Sequence, residues 1–436
     1  MALTRFSLEN YRCFQARQEI ELGKVTVILG RNNSGKSALV RAPLVFSTGF
    51  AANSSLPLDL EQLGEGAPSF QDLVYAGRPH GRVRLGFGFG EADGRTDVEA
   101  TVQHVEEWQS QVVSELTVQR ENASYSLSWS PGAEGEGGAK TYEVAVGPET
   151  PERSATQQVE FKGLFPDQAF AYGHLGEYTA RHLAELSPAA GLDTIRYLGP
   201  YRGRPSRMHR IPARVPVNVG SSGEHAMGII ADDHLRRGSH LVRVLNGYLA
   251  RNLPGWRLKV AERGSGMFSV ELVTTSSSQP ITVNLDDVGT GVTQLLPILV
   301  QRALDEVRAP EREVLEIVEE PELHLHPSAH ALVADLFLNA ATSQGSRVRF
   351  LVETHSETFL LRLRRRIAEG AILPEQVAVY FVEHNGARSN VRRIGVDRLG
   401  NVEGWPRGVF SEDFDETQAL AAAQMEQLDR TEPRAR

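Results

Sequence analysis

Apolar and polar positions alternate from the start of the chain. In "RFSLENYRCF" and "ARQEIEL" the apolar residues fall largely at every second position, the period of a half-buried strand, and the two segments predict an antiparallel hairpin. "KVTVILG" follows as an almost unbroken apolar run and predicts a strand buried on both faces. "KSALVRA" then takes helical spacing, which Pro43 should kink or end because it has no N–H to donate. From about Val83 to Lys162 the alternation returns in "RVRLGFGF", "DVEATVQHV", "SYSLSWS", "TYEVAV" and "QQVEFK", predicting an antiparallel β insert. The low-complexity "PGAEGEGGAK" among them reads as a mobile loop tip.

Helical spacing predicts helices over Asp167–Leu186 and His225–Leu253, followed by a hairpin in "WRLKVAERGSGMFSVELV" and a polar break at "TTSSSQ". The last third alternates strand and helix, as a doubly wound α/β sheet does. No internal repeat is evident. The expected division is an α/β domain beginning at 1–85, a β-rich insert with a following helix at 86–190, and the rest of the α/β domain at 191–436.

Composition narrows the class. The 436 residues suffice for two or three domains, and 41% apolar with 23% charged residues is ordinary globular usage. The apolar stretch around Pro297, Leu295 to Val300, falls far short of the roughly 20 residues of a membrane span. The opening "MALTRFSLENYRCF" lacks the apolar core of a signal peptide, and a single cysteine, Cys13, fits a reducing compartment. A cytoplasmic protein with no membrane partner is the expectation. A net charge of −9 excludes coating of nucleic acid by bulk charge. Two arginine clusters remain: "YRGRPSRMHRIPAR", with Arg202, Arg204, Arg207, Arg210 and Arg214, and "RLRRR", Arg362 to Arg366. Each reads first as a solvated or intersubunit face, and second as a nucleic-acid contact.

Lysine occurs only five times, at Lys24, Lys36, Lys140, Lys162 and Lys259, so a lysine inside a motif is informative. "GRNNSGKS", Gly30 to Ser37, fits G-x-x-x-x-G-K-[ST] between a buried strand and a helix. Glycines there let backbone N–H groups close around a phosphate, Lys36 would reach the β- and γ-phosphates, and the Ser37 hydroxyl would ligate Mg²⁺. The expected nucleotide-binding set is Gly30, Arg31, Asn32, Asn33, Ser34, Gly35, Lys36, Ser37 and Ala38. Far downstream, "VLEIVEEPE" supplies an apolar strand, Val314 to Val318, ending in Glu319 and Glu320. Glu319 is expected at the Mg²⁺, and Glu320 as the general base for an attacking water.

Two further segments bear on the same chemistry. In "LDDVGTGVTQLLPIL" a glycine turn, Gly289 to Gly291, opens a helix, a second anion site that one nucleotide does not need. It reads as a cap for a nucleotide held by another subunit, or as a structural turn before a core helix. "VRFLVETHSE" is another buried strand, with His355 at its polar end, either structural or a phosphate sensor. "VEEPELHLHP", Val318 to Pro327, is either a metal cluster or the acidic end of a buried strand. His324 and His326, two apart on an extended segment, point to opposite sides and make a poor joint ligand pair.

Together these motifs, in this order, resemble the ABC-type ATPase heads of the RecF, SMC and OLD group. "LTRFSLENYRCF…VTVILGRNNSGKS" resembles their N-terminus, "VGTGVTQLLPIL" their signature, "EEPELHLHP" their Walker B and D-loop, and "ETHSE" their switch-histidine strand. The match extends to "YLGPYR" and to the tail "GNVEGWPRGVFSEDFDE", which is similar to the ends of stand-alone ATPases that often accompany bacterial antiphage modules, with PtuA-like proteins among their relatives. The resemblance implies a P-loop NTPase of α/β class: a two-lobed head with a mixed or parallel sheet and an inserted antiparallel region. It implies ATP and Mg²⁺ as cofactors and dimerisation around ATP. It also implies Gly289, Thr290 and Gly291 on the partner's nucleotide, Glu320 as catalytic base and His355 as switch. Glu319 stands where many such heads carry Asp, and Gln71 in "SFQDLVYAG" is the candidate Q-loop residue. No long coiled coil and no D-x-D toprim signature is evident.

Three functions are thereby expected in order. The first is an ATP-driven homodimeric switch, or an assembly of such dimers, controlling a separate effector such as a nuclease in antiphage defence. The second is a RecF-like DNA-binding ATPase gripping duplex through Arg202, Arg204 and Arg207. The third is a metal-dependent nuclease built on Glu319, Glu322, His324 and His326.

Overall fold

The structure is a computed structural model describing residues 2–50, 54–64, 66–90, 95–120, 123–131, 140–146, 153–167, 194–275, 279–406, 410 and 412–431. The N-terminal hairpin forms as expected, β1 (Leu3–Glu9) antiparallel to β2 (Gln18–Glu21), and β3 (Val25–Gly30) follows. After the phosphate-loop motif come α1 (Lys36–Val40) and α2 (Ala42–Ser47), broken at Arg41. Pro43 sits in the first turn of α2, where a missing N–H leaves no helix bond unmade. A capping box between Ser69 and Asp72 starts the short α3 (Phe70–Leu73).

The β insert is not a sheet of its own. β4 (Arg82–Phe89) pairs with β1, and β5 (Thr96–Val105), β6 (Ser110–Arg120), β7 (Ala123–Trp129), β8 (Thr141–Val146) and β9 (Arg153–Gln158) follow. Among the described residues they form one eight-stranded antiparallel sheet, β2-β1-β4-β5-β6-β7-β8-β9, so the expected division at 85/86 falls inside β4. β6 escaped the pattern because its register with β5 shifts between Thr101 and Val102, leaving the neighbours Val112 and Val113 both buried. A small hairpin, β10 (Phe161–Lys162) with β11 (Phe165–Pro166), closes this part. The expected helix over Asp167–Leu186 lies, beyond Asp167, outside the described residues, as does most of the "PGAEGEGGAK" loop.

The second part opens with β12 (Thr194–Leu198) and β13 (His209–Arg210). The helix expected over His225–Leu253 is two helices, α4 (Ala226–Arg236) and α5 (His240–Asn252). Gly238 and Ser239 adopt φ of 69° and 61°, which ends α4, and the Asp233 carboxylate accepts from Val242 N at 2.9 Å at the start of α5. β14 (Trp256–Gly264), β15 (Met267–Thr274) and β16 (Thr282–Asn284) form a small antiparallel sheet with β13. α6 (Thr290–Val307) then carries Pro297 inside it.

The remaining elements build the central sheet: β17 (Val314–Glu319), α7 (Pro327–Thr342), β18 (Val348–Glu353), α8 (Glu357–Ala368), β19 (Val377–His384), β20 (Ser389–Val396) and β21 (Val402–Glu403), with α9 (Glu412–Thr431) after them. The strand order is β12-β17-β18-β3-β19-β20-β21. The first five run parallel, β20 runs against them and β21 against β20, so the sheet is mixed. Alternate residues of its strands enter two different cores, as a sheet covered on both faces requires. Val25, Val27, Val314, Val318, Phe350 and Val352 pack with α4 to α8, whereas Ile28, Leu315, Ile317 and Leu351 pack beneath α1, α2 and the antiparallel sheet. All phosphate-loop chemistry therefore gathers at the C-terminal ends of β3, β17 and β18. Among the described residues no helix is long and apolar enough to cross a membrane.

Candidate functional site

β3 ends at Gly30 in the interior of the mixed sheet, and the chain turns through Ser37 into α1. A side chain at Gly30 would place Cβ 2.5 Å from the Val382 carbonyl oxygen, and one at Gly35, with φ of 102°, would overlap Cys13 Sγ. Both positions demand glycine. Asn33 takes φ of 60°, a conformation asparagine tolerates, and Ser389 Oγ donates to the Ser34 carbonyl at 2.6 Å, tying the loop to β20. Arg31, Asn32 and Asn33 are exposed, Ser34 is buried, and Ala38 packs its methyl on the core. Lys36 is buried, and its Nζ donates to the Arg31 carbonyl at 2.8 Å. Burial lowers its pKa, against the raising influence of the Glu353 and Glu320 carboxylates.

The acidic residues do not stand where the sequence placed them. β18 lies between β3 and β17, so Glu319 is one strand removed from the phosphate loop. Its two carboxylate oxygens accept from Arg41 Nε and Nη2 at 2.5 and 2.6 Å, and Arg41 in turn stacks over Tyr197 with its guanidinium 5.6 Å from the ring centre. Glu319, expected at the Mg²⁺, is thus held by Arg41 and makes no hydrogen bond to Ser37 in this structure. The Ser37 hydroxyl donates instead to Glu353 Oε1 at 3.0 Å. Glu353, at the end of β18 and in register with Glu319, was missed. The signal was present, since "VLEIVE" and "VRFLVE" are both strands that end in a glutamate.

Glu320 follows with φ of 42°, unusual for a side chain of its size, as the chain leaves the sheet for the D-loop. Glu320, Glu353 and His355 each bring one potential metal-ligating atom to within 4.8 Å of the other two. Burial, and then the Glu319 charge, push the Glu353 carboxyl up to about 7. Burial, and then Lys36, hold the His355 imidazole down to about 4, so it is neutral at physiological pH and faces Glu320 at 3.9 Å. The His355 backbone N–H and the Thr354 hydroxyl both donate to Glu322 Oε1 at 2.7 Å, so this buried carboxylate fixes the segment that carries His355. Asn32, Glu320, Glu322, His324, His330 and His355 line one open pocket beside the phosphate loop.

The remaining expected residues separate. Gly289 caps α6; it and Thr290 are exposed, and Gly291 is half-buried against the D-loop, where an added Cβ would lie 3.0 Å from the His324 carbonyl oxygen. His326 uses its ring to cap α7, accepting from Ser328 N at 3.3 Å, and His324 is exposed. Glu319, Glu322, His324 and His326 are therefore not gathered into a nuclease metal site. Gln71 is exposed on α3, donates to the Gly77 carbonyl at 3.0 Å and does not line the pocket. Arg202 is corrected as a nucleic-acid contact. It is 4% exposed, its Nη2 donates to the carbonyls of Glu319 and Glu320 at 2.8 and 3.3 Å, and burial pulls its pKa down to about 10. Arg204 and Arg207 are exposed but paired with Asp286 and Asp287.

A strand-loop-helix phosphate cradle on a mixed α/β sheet, with glutamates at the neighbouring strand ends, defines a P-loop NTPase. The family described as AAA ATPase domain matches residues 1–64 and 258–360, the two stretches that contain the phosphate loop and the acidic strand ends, and the protein is an ATPase. A family described as a protein of unknown function, DUF3696, matches residues 372–420. No curated protein matches the chain. Among solved structures, the SMC head domain from Thermotoga maritima is similar over 91% of this chain and 100% of its own, at 12% identity and a TM-score of 0.42. Another, titled for ATP-driven dimerization and DNA stimulated activation of SMC ATPases, covers 43% of this chain and 96% of its own, at 13% identity and a TM-score of 0.30.

Proposed function

We propose that this ATPase is a switch that closes as a homodimer around ATP and reopens on hydrolysis, controlling a separate effector such as a nuclease in antiphage defence. The observation that carries the reading is the exposed N-terminus of α6. Gly289 and Thr290 are uncovered, and Gly291 abuts the D-loop backbone at His324, so one surface presents anion-binding N–H groups beside the pocket edge. A second copy docked on that surface would receive the cap on its own nucleotide. The phosphates would lie in the loop from Gly30 to Ala38, with Lys36 turning from the Arg31 carbonyl to the terminal phosphates. Glu320 would take a proton from the attacking water, and neutral His355 would donate from its ring to the terminal phosphate. The donor set suits a hard divalent cation such as Mg²⁺: the Ser37 hydroxyl with carboxylate oxygens at the adjacent strand end. When bound, that cation supplies charge neutralisation at the phosphate oxygens.

The effector and the defence role rest on the sequence resemblance to PtuA-like relatives. The DNA-gripping alternative loses support with Arg202 buried and Arg204 and Arg207 paired. Sedimentation of the full chain with and without ATP tests the switch. Glu320→Gln should accumulate an ATP-bound dimer, and Lys36→Ala should remain monomeric and inactive. A Lys36→Ala protein that dimerises and turns over ATP normally overturns the proposal.

A further inference from the structure

We infer that Glu353, rather than Glu319, is the protein carboxylate that ligates the divalent cation accompanying the nucleotide. The inference rests on the reading of Gly30–Ala38 as the nucleotide site and adds the metal's protein ligand to it. Three independent observations carry it. First, Glu353 Oε1 is 3.0 Å from the Ser37 hydroxyl, the group of the phosphate loop that meets the cation. Second, Glu353 is 2% exposed, and its other oxygen, Oε2, is buried with no hydrogen-bond partner. A buried carboxylate oxygen without a donor is costly, and such groups persist where a ligand completes them. Third, the Glu320 carboxylate and the His355 ring converge on Glu353 within 4.8 Å, so the unpartnered oxygen borders a polar space rather than apolar packing.

The case against Glu319 is equally local. Both of its oxygens are taken by Arg41, a bidentate pair whose planar fork matches the carboxylate. To ligate, Glu319 would have to give up that pair. Topology explains the exchange of roles. β18 is the hydrogen-bonded neighbour of β3, with Glu353 in register with Ile28 just before the loop, and β17 is its next neighbour out. A carboxylate on the intervening strand needs no long reach to Ser37.

The test compares Glu353→Gln and Glu319→Gln in the full chain by two binding measurements. Affinity for ADP in the presence of a chelator reports the nucleotide site alone. Retention of Mn²⁺ in the ADP complex, followed by the paramagnetic resonance of free Mn²⁺, reports the metal ligands. The expected result is Mn²⁺ affinity lowered about a hundredfold or more by Glu353→Gln, at or beyond the upper end of what loss of a supporting group costs, and about tenfold or less by Glu319→Gln. Metal-free ADP affinity should be unchanged or tighter in Glu353→Gln, since a negative group near the phosphates is removed. Should Glu353→Gln not fold, Glu353→Asp, one carbon shorter, must still weaken Mn²⁺ retention. Equal losses in the two variants, a loss confined to Glu319→Gln, or no loss at Glu353 by either substitution overturns the assignment. Failure of the wild-type chain to bind ADP would instead overturn the nucleotide-site reading beneath it.

Discussion

Glu316 and Glu353 are buried glutamates on adjacent strands of one sheet, and the protein treats them oppositely. Glu316, in the middle of β17, is matched by cations. Arg302 of α6 donates to it while lying 4.8 Å above the Phe350 ring, Arg196 stands 4.0 Å away, and Asp305 shares both arginines at 3.0 and 2.7 Å. Glu353, at the end of β18, has a serine hydroxyl on one oxygen and nothing on the other. The first arrangement locks a helix to the sheet. The second leaves a carboxyl with one oxygen unpartnered and its pKa pushed up to about 7, and it sits at the edge where the sheet meets the phosphate loop. Whether an arginine already holds the carboxylate, not burial as such, separates the two acids here.

The largest effect that would break the contrast lies at Arg302. Arg302→Met leaves Glu316 short of its cation, and removing one partner of a buried ion pair typically costs about 3–5 kcal/mol. Urea unfolding midpoints read this directly. Glu353→Gln removes a carboxyl that no arginine pairs with, the Lys36 ammonium being the cation that favours its charged form, and the expected result is a neutral or raised midpoint in metal-free buffer. If Glu353→Gln is as destabilising as Arg302→Met, the two glutamates play the same role and the distinction is void.

The pH dependence sharpens it next. With its pKa raised to about 7, the folded chain holds a proton on Glu353 that the unfolded chain, near the model-peptide value of about 4.3, releases. More protons bound in the folded state means stability falls as pH rises through that window, by a total on the order of 3 kcal/mol. His355 acts in the other direction. Held down to about 4, it lets the unfolded chain bind more protons, so its contribution is lost as pH falls below its ordinary range. The difference between Glu353→Gln and wild type cancels most of the His355 contribution. The expected outcome is a stability advantage for Glu353→Gln that grows from pH 5 to pH 8 without metal. A flat difference would place the Glu353 carboxyl near its ordinary value.

Much of this was legible in the sequence. The phosphate loop, the strand before it, the helix after it and the α/β alternation of the last third come from local rules that the fold obeys. The exchange between Glu319 and Glu353 was not legible, because it depends on strand order: nothing in "VLEIVEE" or "VRFLVETHSE" says which strand lies beside β3. Arg41 and Arg302 were invisible for a related reason. Each finds its carboxylate by the packing of a helical segment on the sheet, at a sequence distance that no periodic pattern encodes. Arg202 shows the reverse error: an arginine cluster read as a surface contains one member turned inward beneath the Glu319 and Glu320 carbonyls.

The smallest effect concerns Glu319, which stands between the two cases. It is as buried as Glu316, at 1% exposure, but its cation is on the rim, with 45% of the Arg41 side chain reachable by solvent. Water therefore screens the guanidinium and can replace part of it when it is removed, so Arg41→Met should cost less than Arg302→Met, about 2 kcal/mol, the penalty for leaving a buried acceptor without its donor. Arg41→Lys should recover only part of the loss, because an ammonium cannot make the two-pronged contact or stack on Tyr197. Unfolding midpoints of the two variants in metal-free buffer decide the matter. Equal costs for Arg41→Met and Arg302→Met would mean that the Arg41 pair is effectively buried, and an unchanged midpoint for Arg41→Met would free Glu319 to compete for the cation after all.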